Sequence, residues 1–238
     1  MHLLERYTRQ LKILSDEGQR KLKNSTVLIV GVGGLGSASS VYLAYSGIGK
    51  LLVVDKDKIE KSNLNRQILY KEEDVGKYKA IIAAERLREI NKEIHVEPFV
   101  IDVNDENFEE IIKRADVVVD GLDNWKARLR VNKLAVRYLK PFVHAAVEEW
   151  YGQLFTVIPK KGPCLNCIFG ETEETKKEIQ VVPPLPGILG TMQAIEVIKI
   201  ITGIGKVASD RIIYIDSKNL SIHEIQVTKD PNCKICSY

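Results

Sequence analysis

Thr26–Gly36 reads T-V-L-I-V-G-V-G-G-L-G, an apolar run that ends in a burst of glycines and continues as helix-forming sequence. Val27 to Val30 are aliphatic without polar interruption, which suits a strand buried on both faces of a parallel sheet. Gly31, Gly33, Gly34 and Gly36, with Leu35 among them, then let the backbone turn sharply. Without a Cβ at the turn, a phosphate-bearing ligand can approach main-chain N–H groups at a helix N-terminus, where the helix dipole favours anions. The motif therefore predicts a nucleotide site. By itself it leaves the chemistry open, because such a turn can also serve as a packing device or belong to a dinucleotide oxidoreductase.

A chain of 238 residues, 45% of them hydrophobic, can bury a sizeable core and is expected to form one domain over residues 1–238. Its 35 basic and 32 acidic residues leave a formal charge of +3, which gives no reason to expect a nucleic-acid partner. No run of about 18 apolar residues is present to span a membrane, and the charged start M-H-L-L-E-R-Y-T-R-Q lacks a signal-peptide core, so a cytoplasmic protein is expected.

Working outward from the glycine turn, residues 3–23 read as a helix with Leu3, Leu4, Tyr7, Leu11 and Leu14 on one stripe. Its arginines, Arg9 among them, read first as solvated. Ser37–Ser46 reads as a helix and Leu51–Val54 as a second buried strand ending at Asp55, 24 positions after Gly31, near where such folds place a ribose-binding acid. An ordinary turn aspartate is the alternative. A polar segment, Ser62–Gln67, precedes a helix over 77–90 in which Lys79 sits in the first turn, unfavourably for the dipole unless it faces an anion. A third strand is expected over 96–101, a short helix over 107–114 and a fourth strand over 116–120. Gly121-Leu122-Asp123-Asn124 follows at that strand's carboxyl end, where open α/β sheets bind ligands; Asp123 suits Mg²⁺ or, alternatively, a helix N-cap. A helix over 125–139 and a strand over 142–146 complete an α/β part over 1–150, with His144 read as a packed side chain. From Tyr151 the pattern changes to extended segments at 153–158, 211–215 and 221–227, which read as antiparallel strands of a second part, 151–238. Between them lie the polar Glu171–Gln180, read as a mobile loop, and a helix from about Ile188 to Thr202.

All four cysteines fall into two C-x-x-C pairs, Cys164/Cys167 and Cys233/Cys236. Two complete knuckles with no cysteine left over favour a closed tetrahedral Zn²⁺ site that staples the C-terminal segment to a loop, over redox pairs or an iron–sulfur cluster. A closed shell has no open position for catalysis.

Read together, R-Y-x-R-Q at 6–10, G-x-G-G-L-G at 31–36, Asp55 with Asp57, S-N-L-N-R-Q at 62–67, V-G-x-x-K at 75–79, Asp123-Asn124 and the cysteine pairs resemble the ThiF/MoeB/HesA family, bacterial and archaeal relatives of ubiquitin-activating enzymes. The resemblance implies a Rossmann-like, mostly parallel sheet continued by antiparallel strands with a Cys₄ zinc site, in a homodimer. It implies ATP-dependent adenylation of the C-terminal glycine of a ubiquitin-like sulfur carrier ending in Gly-Gly, in molybdopterin- or thiamine-type cofactor synthesis. Carried onto matching positions, Asp55 holds the ribose with Asp57 beside it, Arg66 and Lys79 hold the phosphates, and Asp123, next to Asn124, holds Mg²⁺. Asn63 and Gln67 line the site, Arg9 reaches the γ-phosphate of the other subunit, and the 171–180 loop covers the carrier's tail. Many relatives carry a further cysteine in that loop. E-T-E-E-T-K-K-E-I-Q has none, which inclines the reading toward the molybdopterin type, where the acyl adenylate itself goes forward. A non-catalytic carrier-binding homologue is one alternative, although such proteins lose charged phosphate ligands and none is missing here. An NAD-dependent oxidoreductase is the other, and it leaves Arg9, Arg66, Lys79 and Asp123 without a shared purpose.

Overall fold

The computed structural model describes residues 2–170 and 179–237. Among these, eight strands form one sheet in the order β3-β2-β1-β4-β5-β6-β7-β8. β1 (Thr26–Val30), β2 (Lys50–Val54), β3 (His95–Phe99), β4 (Val117–Asp120) and β5 (Phe142–Glu148) are mutually parallel. β6 (Tyr151–Val157), β7 (Arg211–Asp216) and β8 (Ser221–Gln226) then extend the sheet antiparallel from β5.

Why β1 carries no polar residue after Thr26 follows from its two faces. Val27 and Ile29 pack into one core with Leu51, Val53, Val117 and Val119, whereas Leu28 and Val30 pack into the other with Leu52, Val54 and Val118. All four β1 side chains are fully buried. Such a strand can only be the centre of a sheet layered by helices on both sides. The first core is covered by α1 (Thr8–Lys23), α2 (Gly34–Ser46), α3 (Lys79–Ile90) and α7 (Pro184–Thr202); the second is covered by α4 (Phe108–Lys113), α5 (Trp125–Arg137) and the short α6 (Leu165–Phe169).

The glycine turn is a packing requirement before it is anything else. A Cβ at Gly36 would lie 1.9 Å from the Gly31 carbonyl oxygen, and one at Gly121 2.1 Å from the same atom, so α2 and the β4 exit loop close directly on the β1 exit. Gly31 itself has φ +86°. At Gly33 the nearest atom to a Cβ is 3.6 Å away, the side-chain nitrogen of Gln67.

Several elements differ from the sequence reading. The segment expected as one helix over 3–23 is a 3₁₀ turn (His2–Tyr7) followed by α1, which breaks at Ser15 (φ 62°, ψ 168°). Tyr7 is buried and its hydroxyl accepts from Asn91 Nδ2 at 2.9 Å, which fixes the entry to α1 independently of helical periodicity. α7 begins at Pro184, four residues earlier than expected, because proline fits the first turn of a helix where no N–H is needed. β5 runs two residues past the expected end, and α6 has too few residues to show periodicity. α7 is the one described helix long and apolar enough to cross a membrane (mean hydropathy 1.3), and half of it is buried against the fold. The loop read over 171–180 lies at residues 171–178 outside the described part.

Candidate active site

In the strand order β3-β2-β1-β4-β5 the chain leaves β1 for β2 on one side and returns to β4 on the other, so the exit loops of β1 and β4 diverge and leave a crevice at the carboxyl ends of the strands. A cavity of about 1100 Å³ opens there. It is lined by Gly31, Gly33, Gly34 and Leu35 of the glycine turn, Asp55 and Asp57 after β2, Asn63, Arg66 and Gln67 of the polar segment, Lys79, and Asp123 and Asn124 after β4. Gly36 lies beneath this surface, against the Gly31 carbonyl. Arg9 does not line the cavity; it is exposed on α1.

Local geometry gives each side chain its place. Asp55 is 9% exposed and accepts the main-chain N–H groups of Val32 (2.9 Å) and Asp57 (2.9 Å). Burial raises its pKa, against the lowering pull of Lys79 and the two N–H groups. Lys79 is 8% exposed at the first residue of α3, with Nζ 3.5 Å from Asp57 Oδ2. The cation is held in the cavity wall and not in solvent, as an anion-facing lysine requires. Arg66 turns Nη1 onto the Ser62 carbonyl (2.8 Å) and Asn65 Oδ1 (2.9 Å), which fixes one arm of the guanidinium. Gln67 is 4% exposed and lines the cavity, and its buried Oε1 has no hydrogen-bond partner among the described residues. Asn124 is the N-cap of α5, accepting from Ala127 N at 2.8 Å. Asp123 is thereby released from capping. A narrower charged recess of the cavity is bounded by Asp57, Lys58, Glu60, Asn63, Arg66, Gln67, Lys79 and Asp123.

A buried polar network not found by sequence reasoning lies behind the β4 exit loop. Asp120 is fully buried; its Oδ1 accepts from Leu122 N (3.0 Å) and its Oδ2 from His144 Nδ1 (2.6 Å). Arg128 Nε stands 3.3 Å from the same Oδ2 as an ion pair without hydrogen-bond alignment, and Arg128 Nη2 donates to the Leu122 carbonyl. Gln193 of α7 donates to the Asp120 carbonyl at 2.7 Å. His144 is thus packed, as its sequence reading has it, and burial holds its pKa below the ordinary histidine value despite the opposing pull of Asp120. The signals available were the aspartate closing β4 and a histidine inside an apolar strand. Arg128, Gln153 and Gln193 carry none, because only helix phase and cross-strand register bring them here.

The four cysteines converge. Sγ–Sγ separations are 3.3 Å for Cys167–Cys236, 3.7 Å for Cys164–Cys233 and 4.0 Å for Cys164–Cys167, and all four sulfurs lie within 4.8 Å of one another. A tetrahedral zinc with Zn–S near 2.3 Å separates its sulfurs by about 3.8 Å. The cluster is therefore compatible with a zinc site, and all four thiols are free of disulfides. It stands next to the cavity: α6 carries Cys167 and Phe169, and Phe169 packs on the cavity-lining Trp125 with ring centroids 4.7 Å apart.

Fold and site together define a doubly wound α/β domain of the nucleotide-binding type, extended by antiparallel strands and carrying a cluster of four cysteines. The ThiF family model matches residues 7–235, and the chain belongs to the ThiF family. It is 36% identical to a sulfur carrier protein adenylyltransferase of Thermus thermophilus, over 98% of this chain and 90% of the relative. It is 36% identical to a SAMP-activating enzyme E1 of Haloferax volcanii, over 98% and 88%, respectively. A crystal structure of E. coli MccB with ATP superposes with a TM-score of 0.87 at 29% identity, covering 98% of this chain and 74% of that one. The chain is accordingly an enzyme of the adenylyltransferase, E1-like class that those relatives represent.

Proposed function

We propose that this chain uses ATP and Mg²⁺ to adenylate the C-terminal glycine of a ubiquitin-fold sulfur carrier ending in Gly-Gly, releasing pyrophosphate. The observation that carries the reading is the lining and charge of the open cavity: cations and carboxylates at one end, Arg66, Lys79, Asp57 and Asp123, and a wall of paired strand residues from β5, β6 and β7, Ala146, Gln153 and Tyr214, at the other. A nucleotide triphosphate fits the first end and an extended peptide tail the second.

The carrier's terminal carboxylate is ionised at neutral pH and attacks the α-phosphorus without a general base. What the protein must supply is orientation and positive charge for two approaching anions and a departing pyrophosphate. In this reading Asp55 holds the ribose, the N–H groups after Gly31 and Gly33 lie under the phosphates, and Arg66 and Lys79 hold those phosphates. Asn63, Gln67, Asp57 and Asn124 line the nucleotide. Asp123 would hold Mg²⁺, a hard cation suited to carboxylate oxygen, which neutralises phosphate charge when bound. The thiolate cluster would hold a structural Zn²⁺.

Arg9 would act across a homodimer. Supporting this, it is exposed outside its own cavity, and α1, α2 and α7 expose Ile13, Tyr42, Tyr45, Ile188 and Ile195, an apolar set suited to burial by a second copy. With all four cysteines in one cluster, the acyl adenylate is the form passed on, as in molybdopterin-type sulfur transfer. ATP–pyrophosphate exchange with a panel of purified carriers tests the reading: exchange that requires a Gly-Gly terminus is expected, and none with any carrier would favour the non-catalytic homologue.

A further inference from the structure

Gln153 sits where the buried network meets the cavity. Its Nε2 lies 3.3 Å from His144 Nε2, and Gln153 lines the cavity while His144 is fully buried. Two nitrogens at that distance need one donor and one acceptor, and Asp120 decides which is which. The Asp120 carboxylate takes the Leu122 N–H on Oδ1 and pairs with the Arg128 guanidinium at Oδ2; a carboxylate can only accept, and Oδ2 faces His144 Nδ1 at 2.6 Å, so Nδ1 carries the proton. His144 Nε2 is left as a lone-pair acceptor. It takes an N–H of Gln153, which turns the amide nitrogen inward and leaves the carbonyl oxygen as the arm on the cavity side.

Gln153 belongs to β6, paired in register with Ala146 of β5 and Tyr214 of β7, so the three side chains rise from one face of the sheet. Tyr151 stands on the same face two residues away, its ring stacked on Tyr214 at 6.0 Å. The result is a slot with a small residue on one side, an aromatic pair on the other and an oriented acceptor in its floor. A Gly-Gly terminus offers no side chain to recognise. It can be selected only by a narrow passage and by hydrogen bonds to its peptide groups.

We propose that Gln153 is a substrate-binding residue whose carbonyl oxygen, locked by the Asp120–His144 pair, accepts a main-chain N–H of the carrier's Gly-Gly terminus. Asp120 and His144 are then positioning residues acting through it. The proposal rests on the adenylation reading above and assigns it a specificity element.

The test pairs kinetics with a readout independent of activity. In pyrophosphate exchange, Gln153→Met, nearly isosteric but without hydrogen-bonding groups, is expected to raise the carrier KM about tenfold while the ATP KM stays within about twofold, the effect of one lost hydrogen bond. Long-range ¹H–¹⁵N spectra of histidine-labelled protein, with His144→Asn to assign the signal, are expected to show a neutral His144 protonated at Nδ1. Wild-type protein inactive with every carrier overturns the functional reading and this proposal with it. An active wild type with unchanged carrier KM and turnover in Gln153→Met, or with both substrates weakened alike, overturns the proposal alone. So does a His144 protonated at Nε2.

Discussion

Asp123 and Asn124 divide one turn between two roles, and the division is visible only in side-chain direction. Asn124 caps α5, so Asp123→Ala should leave that helix intact. Arg66 likewise touches nothing of the core. Asp123→Ala and Arg66→Ala are each expected to cut pyrophosphate exchange about a hundredfold, roughly 3 kcal/mol of transition-state stabilisation, at unchanged melting temperature; near wild-type exchange in either variant removes its assignment. His144 gives a pH dependence of stability. Burial holds its folded pKa below the unfolded value near 6.5, so the unfolded chain takes up the proton first as pH falls. The contribution of neutral His144 is complete above that pH and is lost on acidification toward the folded value. Between pH 7.5 and 5.5, wild-type protein should lose about 1 kcal/mol more stability in urea titrations than His144→Asn, and equal losses would mean that His144 stays as easily protonated as in the unfolded chain.

Among the elements, α6 is short enough to depend on what it carries. Its Cys167 belongs to the thiolate cluster, Asn166 Oδ1 accepts from Asn132 Nδ2 at 2.9 Å, and Phe169 packs on Trp125 at the cavity rim. Metal binding to four thiolates is coupled to folding of the segments that bear them. Chelation, or Cys233→Ser, should therefore lower the melting temperature and shift tryptophan fluorescence through the Phe169–Trp125 contact, with exchange activity falling in parallel and no catalytic group removed. A chelated protein that melts and fluoresces unchanged would show that the cysteines form no structural metal site. The elements also show where periodicity is a poor guide: α1 follows a helical stripe, yet it breaks at Ser15, and α7 starts on prolines that read as loop sequence.

For the whole molecule, the decisive question is whether one chain completes a site. Arg9 does not line its own cavity, so if the proposed homodimer places it in the partner's site, mixing inactive Arg9→Ala with inactive Asp123→Ala should restore part of the exchange activity, since a heterodimer holds one site with both residues intact. No recovery after verified subunit exchange would take Arg9 out of the partner's site. The product is the second question. With ATP, Mg²⁺ and the right carrier, intact-mass measurement should show the carrier gaining an adenylyl group and no thiol-cleavable adduct on the enzyme, because thiolates committed to the proposed metal would be poor nucleophiles. An adduct mapping to any of the four cysteines would overturn both that mechanism and the structural reading of the cluster.

Thr26–Gly36 determined by itself that a buried parallel strand enters a tight turn and a helix, because an uninterrupted aliphatic run followed by four closely spaced glycines leaves few other conformations. The spacing of the cysteines likewise carried the thiol cluster, and the resemblance of the polar motifs to a known family carried most of the cavity lining. Only the tertiary structure decided that Gly36 packs and does not line the cavity, that Asn124 takes the cap, and that Asp120, Arg128, His144, Gln153 and Gln193 form one buried network. Those residues come from β4, α5, β5, β6 and α7, and their meeting is fixed by cross-strand register and helix phase. Neither leaves a pattern in the linear sequence, because each polar residue looks locally like a solvated one until the elements around it exclude water.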